Sequence, residues 1–215
     1  MKDPDVLDEA LRDEAREPGG AAAPDLSPAL LALLPERDPQ ALSSFFDAYF
    51  DRVYGYVRRL VRDEHLAEDL TQDVFMHVHR ALPTYDPARD LRPWVFTIAT
   101  NKVRDFWRSR RHRESQQEQS VERDAAAEHL SAGAERPETE LTRRELDERV
   151  RSAVDELPEG MRMTVLLRVY EELSFEAIGG ILERSEVAVR KRYSRALDAL
   201  RASLGGAWQA HSEGT

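Results

Sequence analysis

Two stretches carry most of the chemistry that this chain can offer to another molecule. In the first, Thr97, Asn101, Arg104, Asp105 and Arg108 share one face at helical spacing, and Trp94 lies close to the same side two turns before Asn101. An amide can pair with a base edge, spaced guanidinium groups neutralise phosphates, and an indole stacks on an unpaired base. That set suits single-stranded DNA. In the second, Arg190, Lys191, Ser194 and Arg195 point away from an apolar row of Val189, Tyr193, Leu197 and Leu200. A short apolar segment with Ile178, Ile181 and Leu182 precedes it, which is the spacing of a helix-turn-helix with its second helix meant for a major groove. Taken singly, either stretch is also compatible with an amphipathic helix whose cationic face is merely solvated.

Charge decides how such faces could work. The 215 residues are 41% hydrophobic and 33% charged, with a mean hydropathy of −0.61 and a net charge of −10. The acidity is unevenly placed: residues 1–40 carry −6 and residues 114–140 carry −6, whereas residues 41–113 carry +3 and residues 141–215 carry −1. A chain charged in this way lacks the cation excess that displaces many counterions from duplex DNA. If it reads DNA, a partner must supply much of the affinity. There are no cysteines, which excludes disulfides, thiolate zinc sites and cysteine nucleophiles. Apolar runs are short and the first residues lack a signal-peptide core, so membrane insertion and export are not expected and the cytoplasm is.

The elements that must hold these faces are all helical. Leu42, Phe45, Phe46, Tyr49, Phe50, Val53, Tyr54, Val57, Leu60 and Val61 predict a long amphipathic helix over Ala41–Arg62. Leu66, Leu70, Val74, Val78 and Leu82 predict a second, closed by Pro83. Tyr85–Asp90 reads as a loop, and Pro93 suits the first turn of a third helix. Helix returns at about Leu141–Leu157, turns at Pro158-Glu159-Gly160, and continues through Met161–Tyr170. Ser174 and Ser185 are N-caps for the last two helices. Gly179-Gly180 is costly inside a helix and points to a close approach. The expected fold is all-α: two small helical domains joined by a flexible acidic linker. The divisions are a disordered acidic tail at 1–25, a bundle at 26–113, the linker at 114–140, a helix-turn-helix domain at 141–204 and a frayed tail at 205–215.

Both halves together resemble the sigma-70 superfamily, specifically the compact extracytoplasmic-function (group IV) sigma factors. Ala67-Glu68-Asp69-Leu70-Thr71-Gln72-Asp73-Val74-Phe75 is similar to the family's polymerase-docking stretch in its region 2. Trp94–Asp105 resembles its promoter-melting helix, and Leu157 through Arg195 resembles the region 4 domain that reads the −35 element. The resemblance implies that Asp69, Gln72, Asp73 and Phe75 contact core RNA polymerase. It implies that Trp94, Asn101, Arg104, Asp105 and Arg108 contact the melted −10 strand, with Asn101 reading a flipped base and the Tyr85–Leu91 loop forming its pocket. Arg190, Lys191, Ser194 and Arg195 would contact −35 duplex. Asp105 stands where relatives often have Asn, Ser194 where a larger side chain is common, and Val187-Ala188 where many carry Gly-Thr, so a divergent promoter is expected. The resemblance further implies an anti-sigma factor as a partner.

Two other classes are open to the residues themselves. One is a free-standing helix-turn-helix transcriptional regulator that binds its operator without polymerase. The other is an enzyme, for which Asp69, Asp73 and His77 at i, i+4, i+8 would be a ligand row. The paired Glu-x-x-His motifs of carboxylate-bridged metal bundles are missing, as are a Gly-rich phosphate loop and a Ser-His-Asp set. The row reads as an exposed polar stripe, and neither catalysis, a cofactor nor a metal is expected. The acidic linker is either a solvated tether or, as the resemblance suggests, a nucleic-acid mimic in the polymerase's RNA path.

Overall fold

The computed structural model describes Leu11, residues 26–118 and residues 143–212; side chains are described for Leu11, 26–111 and 148–204. The expected tail at 1–25, Leu11 apart, and the linker at 119–140 lie outside the described residues. Helix α1 spans Pro28–Leu33, α2 Pro39–Val61, α3 Glu64–Ala81 and α4 Leu91–Glu118. Carboxylates start three of them. Asp38 accepts from the Gln40 and Ala41 amides at 3.0 Å, Asp63 from Leu66 at 3.0 Å, and Asp90 from Arg92 at 3.0 Å. Each satisfies amides that the first helical turn leaves without partners.

The first bundle closes on the expected stripes. Phe45, Tyr49, Val53, Val57 and Leu60 of α2 bury against Leu70, Val74 and Val78 of α3 and Val95, Phe96, Ala99 and Val103 of α4. A polar pin crosses this core: the Tyr56 and Thr100 hydroxyls lie 2.8 Å apart, with Phe96 edge-on to the Tyr56 ring. Burial pushes the Tyr56 hydroxyl far above its usual range, so it stays protonated.

Helices α5 (Arg143–Glu156), α6 (Glu159–Val165), α7 (Phe175–Leu182) and α8 (Glu186–Ser212) form the second unit. Ser174 accepts from the Ala177 amide at 3.1 Å and Ser185 from Ala188 at 3.3 Å, so both expected caps are present. The Gly179-Gly180 pair resolves into two cases. A Cβ on Gly179 would stand 2.7 Å from the Arg184 carbonyl, whereas one on Gly180 would meet open space. The close approach is thus to the turn that follows α7. That turn places Glu183 at φ 54° and bonds the Arg184 amide to the Gly179 carbonyl at 2.9 Å.

Three expectations need correction. The stretch Met161–Tyr170 is not one α-helix: after Val165 it widens into a π turn at Leu166–Tyr170, where the Glu171 amide reaches back to Leu166. Helix α4 runs past residue 113 into the expected linker as far as Glu118, because Arg110–Glu118 holds no Gly or Pro and is rich in helix-forming Arg, Glu and Gln. Helix α8 passes Gly205-Gly206 to Ser212 rather than fraying at 205, with Ala207–Ala210 resuming helix-compatible residues after the glycines. The two units also pack on one another, α4 against α7 and α2 against α6, a contact that the sequence did not suggest.

Candidate nucleic-acid interface

On α4 the polar face is built as its spacing predicted. Asn101 is exposed and its amide makes no hydrogen bond among the described residues. Two turns earlier, Trp94 is half-buried with its ring 5.1 Å from that of Tyr85. The loop ahead of it is a made structure: Tyr85 donates to the Arg89 carbonyl at 2.7 Å, and Asp86 accepts from the Ala88 amide at 3.0 Å. An exposed amide and an aromatic pair two turns apart on one helix offer a pairing edge and a stacking surface along one strand of DNA. Asp105 and Arg108 are exposed and paired with each other at 3.4 Å. Thr97 spends its hydroxyl on the Pro93 carbonyl at 2.7 Å.

Arg104 is different. It is half-buried, and its guanidinium donates to the Ile181 and Leu182 carbonyls at the end of α7, both at 3.4 Å. One of the five α4 residues expected on DNA is therefore engaged by the other unit.

The α8 face is also presented as expected. Arg190, Lys191, Ser194 and Arg195 are all exposed. Arg190 is held in place: it donates to Glu186 at 2.6 and 2.9 Å and lies over the Phe175 ring at 4.5 Å. Lys191 and Arg195 line a cleft of about 450 Å³ whose other walls include Arg184, Arg192, Gly160 and Met161. Arg192 was not singled out from the sequence. Its pKa is lowered by burial and by the neighbouring Arg184 and Arg104 cations, which marks a place where positive charge from both units gathers.

The third face lies on α3. Asp69, Gln72 and Asp73 are exposed, Asp73 with Lys102 of α4 3.5 Å away, and Phe75 is half-buried. Phe75 belongs to an aromatic patch with Phe46 and Phe50, ring centroids 5.2 and 5.9 Å away, and Phe46 and Met76 are about half exposed at 47% and 50%. Exposed aromatics of this extent beside carboxylates are the make-up of a protein-docking surface. Asp69, Asp73 and His77 do not form a metal site; among the described residues no three His, Asp or Glu groups converge to hold an ion. Among the described residues, no helix is long and apolar enough to cross a membrane.

Comparison with known proteins agrees with this layout. Residues 45–113 match the Sigma-70 region 2 family and residues 147–200 match the Sigma-70, region 4 family. Over 165 residues the chain is 35% identical to RNA polymerase sigma factor CarQ of Myxococcus xanthus, a match spanning 77% of this chain and 90% of that protein. It is 27% identical over 174 residues to ECF RNA polymerase sigma factor SigW of Bacillus subtilis, spanning 78% and 90%. Among solved structures, CnrH in complex with the cytosolic domain of CnrY superposes with a TM-score of 0.59 at 24% identity, over 82% of this chain and 96% of that one. The sigma factor RpoE of Bartonella quintana, solved with the anti-sigma factor NepR, gives 0.59 at 22% identity, over 77% and 97%. A region 2 bundle and a region 4 helix-turn-helix in one chain define a sigma-70 class protein. Within that class the chain belongs to the extracytoplasmic-function sigma factors.

Proposed function

We propose that this sigma factor docks on core RNA polymerase through Asp69, Gln72, Asp73 and Phe75 and is not itself a catalyst. In that complex Arg190, Lys191, Ser194 and Arg195 read the −35 duplex. Trp94, Asn101, Arg104, Asp105 and Arg108 engage the melted −10 strand. Unpairing costs a few kcal/mol per step, and capture of an extruded base against an aromatic and an amide offsets part of that. The observation that carries the reading is the exposed Asn101 amide, two turns along α4 from the Trp94–Tyr85 ring pair, on the same bundle whose α3 face displays its carboxylates. An acidic protein that reads DNA needs a partner for affinity, and polymerase is that partner. It acts where polymerase is, in the cytoplasm, and an anti-sigma factor is the regulator that suits its class.

Charge reversal tests the docking. Asp69→Lys should abolish promoter-directed transcription while helicity by circular dichroism is unchanged. Unchanged transcription would remove α3 as the dock. Asp69 is the cleaner position, because a lysine at 73 would also face Lys102. Gel shifts with and without core polymerase test the dependence itself. Strong specific binding by the chain alone would favour an independent regulator.

A further inference from the structure

The apolar side chains of α8 turn inward with one exception. Val189, Tyr193, Leu197 and Leu200 are buried, whereas Val187 is 76% exposed. The other large apolar side chains exposed among the described residues, Leu33, Phe46, Phe50 and Met76, all belong to the first unit, and none is as open as Val187. Val187 is the second residue of α8, just behind the Ser185 cap. By helical spacing it begins a stripe that continues through Arg190, Lys191 and Ser194 at i+3, i+4 and i+7, and all four are exposed. The turn ahead of it is tied down, the Arg184 amide donating to the Gly179 carbonyl at 2.9 Å. Neither burial nor helix propensity accounts for a valine there, since valine is a weaker helix former than alanine and this one buries little of itself. The first residues of the second helix are the ones that a helix-turn-helix sets against base edges.

We propose that Val187 reads the methyl group of a thymine in the −35 element, next to the base that Arg190 reads. The inference rests on the reading of α8 as the −35 helix. Of the four bases only thymine carries a C5-methyl into the major groove, and an apolar side chain is the group that recognises it. Contact removes both apolar surfaces from water, which is where the preference comes from. Arg190 offers paired donors, which suit the O6 and N7 acceptors of guanine. Three residues of helix rise about 4.5 Å and one base step is about 3.4 Å, so the thymine lies within about two steps of that guanine. The cationic side chains of the stripe supply attraction to any duplex, and Val187 adds discrimination without adding charge.

The test uses holoenzyme assembled from core polymerase and the full chain, on a promoter fragment from which it initiates. Each −35 thymine, on either strand, is replaced in turn by deoxyuridine, which removes the methyl and keeps the pairing groups. One such replacement should weaken closed-complex formation in filter binding about fourfold, the scale of one apolar carbon taken out of contact. With Val187→Ala, at unchanged helicity by circular dichroism, the thymine fragment should bind about fourfold more weakly and the same replacement should be silent. A −35 element without thymine overturns the assignment of Val187. So does an element in which no thymine is sensitive, or one in which the replacement costs both proteins equally. Arg190→Ala separates that failure from a larger one. If it flattens discrimination between −35 variants while deoxyuridine has no effect, α8 reads the promoter without Val187. If neither change matters, α8 does not read the −35 element and both readings fall.

Discussion

Asn101 and Arg190, both proposed to read DNA, are held in opposite ways. Asn101 is unengaged and exposed, whereas Arg190 is held by Glu186 and the Phe175 ring in a fixed direction. Asn101→Ala should slow open-complex formation about tenfold, the scale of one good base contact, and leave closed-complex affinity nearly unchanged. Permanganate footprinting beside filter binding separates the two; equal losses would contradict base reading. Arg190→Ala should flatten discrimination between −35 variants in the same assay. Both residues were legible in the sequence, because an amide or guanidinium on the polar side of an amphipathic stripe has few other places to point. Arg52, Glu171 and Arg162 were not. Their partners lie as far as 119 residues away, and a charge destined for burial looks in sequence like any solvated one.

At the scale of elements, period and caps foretold most of what formed. The stripes of α2 and α3, the caps at Ser174 and Ser185, and the loop before α4 all follow from local chemistry. The π turn did not, since the composition of Leu166–Tyr170 is that of ordinary helix. The helix ends at 118 and 212 were missed because polar composition was read as linker where no breaker interrupts α4 and where glycine proved insufficient to stop α8. The glycine pair makes a paired prediction. Gly179→Ala should destabilise the chain by about 1–3 kcal/mol, because its Cβ must displace the Arg184 backbone of the helix-turn-helix turn. Gly180→Ala has room and should stabilise by up to about 1 kcal/mol through helix propensity. Urea melts of the two variants check the contrast; equal effects would mean that the turn is not held by that approach.

For the whole molecule, two units that must read separate parts of a promoter are packed together through a polar contact. Burial pushes the Glu171 carboxyl from 4.5 up to about 7 against the pull of Arg52, Arg92 and Arg59. Tyr56 of α2 also feels its charge. The packed contact thus holds the Glu171 proton more tightly than a solvated carboxyl would. That contribution to the packing of the two units is complete below about pH 4.5 and is lost as pH rises through about 7. The stability of the packed contact should fall between about pH 4.5 and pH 7, and Glu171→Gln should remove that dependence. The chain has no cysteine, so fluorescence transfer between labels on Ser43→Cys and Ser203→Cys, exposed positions in the two units, titrated over this range, reads it directly. A flat profile in the unaltered chain would assign Glu171 no part in the balance.

The most direct test of the account is run-off transcription with purified core polymerase, this chain and a library of genomic promoter fragments. The account predicts that initiation requires the chain and converges on fragments sharing one −35 and one −10 element, with Asp69→Lys silent. Initiation no different from core polymerase alone would contradict it.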